Sequence, residues 1–189
     1  MASLIVMAGL PGTGKTTIAK KIAGSLAGYE FISQNDIRRG HGMKKMPKNQ
    51  DAVLREIDRI TAKLLLNGKG AIIDSVNRYS FRRHQLYGVA SGCGHNVLVI
   101  ECICSENEAK KRIRQRPKGD GLISDPNDPE VYDKLAKTWE DIITFDFKYA
   151  GSDHVSYIRY HSETGEIDRK IVQVESKELI GSISSLLKS

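Results

Sequence analysis

Long apolar runs, abundant cysteine and abundant aromatic residues are all missing from this 189-residue chain. No stretch approaches the roughly 18 consecutive apolar residues that a membrane-spanning helix needs. The apolar opening, residues 1–9, is short. It runs into glycines and lysines where a secretory leader carries a small-residue cleavage site. The expectation is therefore a cytoplasmic protein with no membrane partner. Three cysteines, Cys93, Cys102 and Cys104, form an odd count without Cys-x-x-Cys spacing. That argues against a disulfide framework or a zinc cluster and fits a reducing setting. Cys102 and Cys104 share a face of a predicted strand, as small core residues do.

Apolar residues make up 40% of the chain and charged residues 28%, the balance of one ordinary globular domain. The net charge of +6 is unevenly placed. Residues 37–50 hold Arg38, Arg39, Lys44, Lys45 and Lys48. Residues 110–118 hold Lys110, Lys111, Arg112, Arg114, Arg116 and Lys118, and residues 77–84 hold Arg78, Arg82 and Arg83. None of the three segments contains an acid, so all 23 acidic residues lie elsewhere. A single run of this kind is usually a solvated face; three of them point to an anion site where they converge.

Apolar periodicity alternates between the strand and helix patterns along the chain. Strands are predicted at residues 3–8, 30–33, 71–74 and 96–104. Helices are predicted at 15–26, over a long segment containing Val53, Ile57, Ile60 and Leu64, and at 79–91 and 106–116. Residues 117–129, rich in Gly, Pro, Asp and Asn, read as a loop. Asp128 then caps a helix with Pro129 at its first position, carried by Val131, Leu135, Ile142 and Ile143. Residues 155–160 and 167–174 read as strands around the turn Glu163-Thr164-Gly165-Glu166, and 177–187 as a closing helix. The alternation predicts one α/β domain over residues 1–189, with a mostly parallel sheet between helices on both faces and a C-terminal hairpin. Ligands of such sheets bind at the carboxyl ends of the strands.

Gly9-Leu10-Pro11-Gly12-Thr13-Gly14-Lys15-Thr16 matches the phosphate-binding pattern GxxxxGK[ST], and it lies between a strand and a helix. Glycines let backbone N–H groups approach phosphate oxygens, and the following helix aims its positive end at them. Lys15 would reach the β- and γ-phosphates. Thr16, with Thr17 beside it, opens the helix and offers a hydroxyl to Mg²⁺. Gly9, Gly12, Thr13 and Gly14 complete the nucleotide cradle. Ala71-Ile72-Ile73-Asp74 places a carboxylate at the tip of an apolar strand, where Asp74 would hold Mg²⁺ directly or through water.

Classes of P-loop protein differ in their second element. A switch GTPase carries Asn-Lys-x-Asp and Asp-x-x-Gly segments. The first is absent, and Asp74 is followed by Ser75-Val76-Asn77. A remodelling ATPase carries a water-activating glutamate directly after the strand-end aspartate, where Ser75 stands. A small kinase needs a carboxylate for the acceptor hydroxyl and arginines for the transferring phosphoryl group. Asp36, in Phe31-Ile32-Ser33-Gln34-Asn35-Asp36-Ile37-Arg38-Arg39, supplies the carboxylate at the rim of the second strand. Arg38 or Arg39 would clamp an acceptor phosphate. Arg112 and Arg116, four residues apart on one helical face with Arg114 turned away, would act from a lid over residues 105–129.

Residues 9–17, 35–39, Asp74-Ser75-Val76-Asn77 with Arg82-Arg83, and the basic 110–116 segment together resemble the polynucleotide-kinase-like group of P-loop kinases. The resemblance covers roughly residues 1–143. It implies a five-stranded parallel core sheet, Asp36 as general base and Arg39 on the acceptor's phosphate. It also implies Arg116 or Arg112 at the transferring phosphoryl group, with Asn77 and Arg82 among the residues on the acceptor side. The hairpin at residues 155–174 departs from the group's usual ending, and no phosphatase domain is present. The expected cofactors are ATP and Mg²⁺. The acceptor is a polynucleotide or nucleotide hydroxyl, with a small metabolite or water (a P-loop NTPase) as alternatives. Lys44, Lys45 and Lys48 would extend a track for a polyanion. Tyr79, Phe81 and Tyr87 are the few rings available to stack on bases, each weighed against packing; Trp139 reads as packing.

Overall fold

The computed structural model describes residues 3–41, 50–116, 127–148 and 154–188. Lys44, Lys45, Lys48 and Lys118 lie outside them. Strands β1 (Leu4–Ala8), β2 (Tyr29–Ser33), β3 (Gly70–Asp74), β4 (Val97–Ile103) and β5 (Val155–His161) run parallel in the order β2-β3-β1-β4-β5. Strand β6 (Glu166–Ile171) adds an antiparallel edge beside β5. The helices are α1 (Lys15–Ser25), α2 (Gln34–Gly40), α3 (Gln50–Leu66), α4 (Ser80–Gly92), α5 (Glu106–Arg114), α6 (Glu130–Ala136) and α7 (Lys177–Lys188).

Strand β1 explains the layering. Leu4, Val6 and Ala8 face a core shared with Val53 and Ile57 of α3 and Leu86 and Ala90 of α4. Ile5 and Met7 face the opposite core, formed by Ile18, Ala19 and Ile22 of α1 and Ile180, Ile183 and Leu187 of α7. A strand apolar on both faces is what a central parallel strand between two helical layers requires. Each such aliphatic side chain contributes roughly 1.5–3 kcal/mol on leaving water. Cys102 lies fully buried in the second core, where burial pushes its thiol up to about 12, so it is inert.

The five-stranded parallel core and the C-terminal hairpin are both present: the first arm of the hairpin, β5, is the fifth parallel strand, and β6 makes a sixth. Two elements differ from the sequence reading. An unexpected helix, α2, starts directly after β2. The Ser33 hydroxyl caps it by accepting from the Asp36 N–H at 3.2 Å.

The helix expected to continue through Ile143 stops at Ala136 and is followed by a π-helical turn, Ile143–Lys148. The break has a physical cause. Glu140 is drawn to the start of α4, where its carboxylate accepts from Ser80 N–H at 2.6 Å and its N–H donates to the Arg78 carbonyl at 3.0 Å. Asp146, inside the π-turn, is fully buried against Arg83.

Candidate active site

The P-loop leaves β1 and packs tightly against the strand and helix beside it. A Cβ on Gly9 would stand 2.3 Å from the Cys102 carbonyl oxygen, and one on Gly12 2.4 Å from the Ala109 carbonyl oxygen of α5. Only glycine fits at either place. The Leu10 carbonyl accepts from both the Lys15 ammonium, at 2.7 Å, and the Thr13 hydroxyl, at 2.8 Å. Gly9 and Thr13 thereby shape the loop, while Gly12, Gly14, Lys15, Thr16 and Thr17 line a cavity of about 520 Å³.

The same cavity brings together residues from three further elements and the segment after the last: Asp36 and Arg39 of α2, Asp74 of β3, Arg112 of α5 and Arg116 just beyond it. Thr16 donates its hydroxyl to Asp74 Oδ2 at 2.7 Å. Burial raises the Asp74 carboxyl above the ordinary carboxylate value, an effect opposed by the Thr16 hydrogen bond and the Lys15 charge. Burial likewise lowers the Lys15 ammonium, opposed chiefly by Asp74. Both shifts come from desolvation, so a phosphate beside Lys15 and a divalent cation beside Asp74 would offset the cost of burying their charges. Paired hydroxyl and carboxylate oxygens are hard donors that suit Mg²⁺, which takes few protein ligands and completes its shell with phosphate and water. Among the described residues no group of three or more His, Cys, Asp or Glu side chains is poised to hold a metal.

Asp36 sits in the first turn of α2 with its carboxylate exposed, and Arg39 reaches back one turn to pair with it. Arg112 is anchored rather than loose. Its Nη1 donates to the Ser162 hydroxyl at 2.8 Å and meets the Gly12 carbonyl at 3.5 Å, while its Nε donates to Glu108 at 2.8 Å. Ser105 caps α5 by accepting from Glu108 N–H at 3.3 Å, and its own N–H donates to Glu163 at 2.9 Å. Arg114 is exposed and does not line the cavity, as the helical spacing expects.

Two residues expected on the acceptor side turn elsewhere. Asn77 is buried at positive φ and donates its side-chain amide to the Met7 carbonyl at 2.7 Å, so it holds the strand ends together. Arg82 is buried and pairs with Asp58 of α3 at 2.8 Å. Arg38 is half-buried, 3.5 Å from Asn35 Oδ1, and does not line the cavity. Tyr87, counted among the rings for stacking, is buried and donates its hydroxyl to Asp146 at 2.6 Å. Trp139 packs against the α3/α4 core, as expected.

Other cavity residues carried no motif. Lys20 lies one turn beyond Thr16 on α1, the i+4 spacing that could have flagged it. Phe31 and Ser33 share a face of β2. Ser162, the anchor of Arg112, follows β5 with no sequence signal.

A glycine-rich cradle at the carboxyl end of a central parallel strand, beside a strand-end aspartate, defines a nucleotide-binding P-loop domain of the kinase-like type. A family model described as an AAA domain matches residues 4–137, and the chain belongs to that family. No curated protein matches significantly. Chaetomium thermophilum Kti12, solved with ADP-AlF3, is similar in structure at TM-score 0.65 and 17% identity over 98% of this chain and all of that one. A sugar kinase from Janibacter reaches TM-score 0.63 at 18% identity, covering 87% of each chain. A chain of the Pnkp1/Rnl/Hen1 complex reaches TM-score 0.55 at 17% identity over 63% of this chain and 42% of that one. These likenesses establish the shared fold. Among the described residues no helix is long and apolar enough to cross a membrane.

Proposed function

We propose that residues 1–189 form one ATP- and Mg²⁺-dependent kinase domain, with a lid over residues 105–129, that moves the γ-phosphoryl group of ATP to an acceptor hydroxyl. The favoured acceptor is the 5′-hydroxyl of a polynucleotide or nucleotide. One observation carries the reading: the Asp36 carboxylate lines the same cavity as Lys15, Asp74 and Arg116. A P-loop protein that transfers phosphate only to water has no need of an acceptor-side carboxylate–arginine pair at that rim.

The division of labour follows from charge and reach. Backbone N–H groups of residues 12–16 and the Lys15 ammonium bind the β- and γ-phosphates. Thr16 and Asp74 would hold Mg²⁺, which when bound neutralises charge on the phosphate oxygens. Asp36 accepts the proton of the acceptor hydroxyl as its oxygen bonds to the γ-phosphorus and the bond to the ADP oxygen breaks. Arg116, with Arg112 held beside it, balances the charge that spreads over the phosphoryl oxygens. Arg39 exchanges its Asp36 partner for a phosphate of the acceptor. The likeness to a chain of the Pnkp1/Rnl/Hen1 RNA repair complex supports the polynucleotide acceptor. A small-molecule acceptor is the second reading, supported by the Janibacter sugar kinase and a Sinorhizobium meliloti gluconokinase that covers 98% of this chain.

The test is transfer from γ-labelled ATP with Mg²⁺ to 5′-hydroxyl RNA and DNA beside a panel of sugars and nucleosides. Label on an oligonucleotide end, absent with Asp36→Asn, supports the first reading, and label on a small molecule only supports the second. Free phosphate with no labelled acceptor overturns both in favour of an NTPase.

A further inference from the structure

Two of the five exposed large apolar side chains among the described residues, Tyr79 and Phe81, lie at the start of α4, where they are 39% and 63% exposed. Tyr79 ends the turn that links Asp74 to α4 and Phe81 is the second residue of that helix, at the carboxyl end of the sheet where the cavity opens. The Arg78 guanidinium stacks 4.4 Å from the Tyr79 ring centroid and donates to its hydroxyl at 3.0 Å. Two exposed aromatic rings and a guanidinium therefore lie within residues 78–81.

The turn that carries them is held from beneath with unusual thoroughness. Arg83, fully buried, donates to the Asn77 and Arg78 carbonyls, each at 3.0 Å, and its other nitrogens hold Asp146 in a bidentate pair at 2.7 Å. Gly9 N–H donates to the Val76 carbonyl at 3.2 Å, Asn77 to the Met7 carbonyl, and Glu140 clamps Ser80 and Arg78. On one flank Arg82 ties the turn to α3 through Asp58; on the other Tyr79 reaches the segment after α6 at Thr138. These bonds hold the turn in place before any ligand arrives, which lowers the ordering cost of binding.

We propose that Arg78, Tyr79 and Phe81 form a preordered platform on which bases of a single-stranded nucleic-acid acceptor stack as its 5′ end enters the cavity. The inference rests on the polynucleotide reading and deepens it. The chemistry favours this occupant. Aromatic rings stack on any base, and a guanidinium serves both the ring face and the phosphates. Asp58 and Asp146 are paired with Arg82 and Arg83, and the Arg78 guanidinium lies directly against the Tyr79 ring. A small sugar filling the cavity would have no use for rings outside it.

The experiment compares the full chain with its Tyr79→Ala/Phe81→Ala double variant and with Leu66→Ala. Leu66, 72% exposed, ends α3 just before β3 begins, at the amino end of the sheet, and serves as control. The probes are fluorescein-labelled single strands of about ten nucleotides, read by anisotropy, and unlabelled 5′-hydroxyl strands of two and about ten nucleotides, read by transfer. The expected result is roughly a 10–100-fold loss of strand affinity in the double variant, matching stacking lost from one or two bases. KM for the longer strand rises by the same factor and its advantage over the dinucleotide vanishes, while kcat at saturating strand is kept. Tyr79→Phe with Phe81→Trp restores binding; Leu66→Ala binds like the parent chain. Equal strand affinity in parent and double variant overturns the platform even where transfer to RNA or DNA occurs. Strand binding that depends on the platform, with no transfer to any nucleic acid, upholds it and overturns the polynucleotide kinase reading. Absence of strand binding by the parent chain overturns both.

Discussion

The Thr16 hydroxyl donates to the Asp74 carboxylate at 2.7 Å, joining residues 58 positions apart in the chain. This contact fastens the first turn of α1 to the tip of β3 and gathers the two oxygen ligands expected of Mg²⁺. It also leaves a buried carboxylate whose pKa is raised chiefly by desolvation.

The sign of that shift makes a prediction. A carboxyl raised in the fold is more readily protonated there than in the unfolded chain, so its contribution to stability falls as pH climbs from the ordinary carboxylate range through the raised value. Asp74→Asn removes the penalty. The nucleotide-free variant is expected to melt above the parent at neutral pH, and to gain less from added Mg·ATP. Thermal denaturation with and without Mg·ATP, at pH 4 and pH 7, reads both effects; a variant less stable than the parent at pH 7 contradicts the assignment.

Lys15→Ala should abolish phosphoryl transfer while preserving the fold, because Lys15 makes its one described hydrogen bond to the loop's own Leu10 carbonyl. Transfer assays with labelled ATP and circular dichroism of the same sample check this. Full activity in the variant would remove the lysine from the phosphate site.

Asp36→Asn should retain ATP binding and slow transfer by roughly 10²–10⁴-fold, the usual worth of a positioned base. The asparagine keeps the size of the side chain and loses its ability to take a proton. Calorimetry for ATP and single-turnover transfer separate the two effects, and unchanged transfer would strip Asp36 of the role.

Arg83→Ala tests the clamp beneath the platform. Removing one partner of a fully buried ion pair takes the guanidinium from Asp146 and strands the Asn77, Arg78 and Glu140 carbonyls, at a cost of about 3–5 kcal/mol. Urea denaturation measures it. A loss below about 1 kcal/mol would mean the network is replaceable.

The parallel sheet was legible because β1, β3 and β4 are apolar on both faces, a pattern few other structures produce. The cradle was legible because phosphate chemistry demands glycines and a lysine at fixed spacing. Asn77 and Arg82 misled because a motif records residue types and not directions: one side chain turns down to Met7 and the other sideways to Asp58. The helix break after Ala136 was hidden because its cause is a long-range contact, Glu140 bonding to α4, which periodicity within the segment does not encode. Ser162 was invisible for the same reason: its value lies in meeting Arg112, fifty residues away.

The Ala109 carbonyl occupies the space that a side chain on Gly12 would need, so one wall of the phosphate cradle is the backbone of α5. Loop and helix are therefore fitted to each other as a matched pair. A helix transplanted into this place from another member of the fold must bring its own fit to position 12, and a shift of the backbone at position 109 is felt first by the cradle.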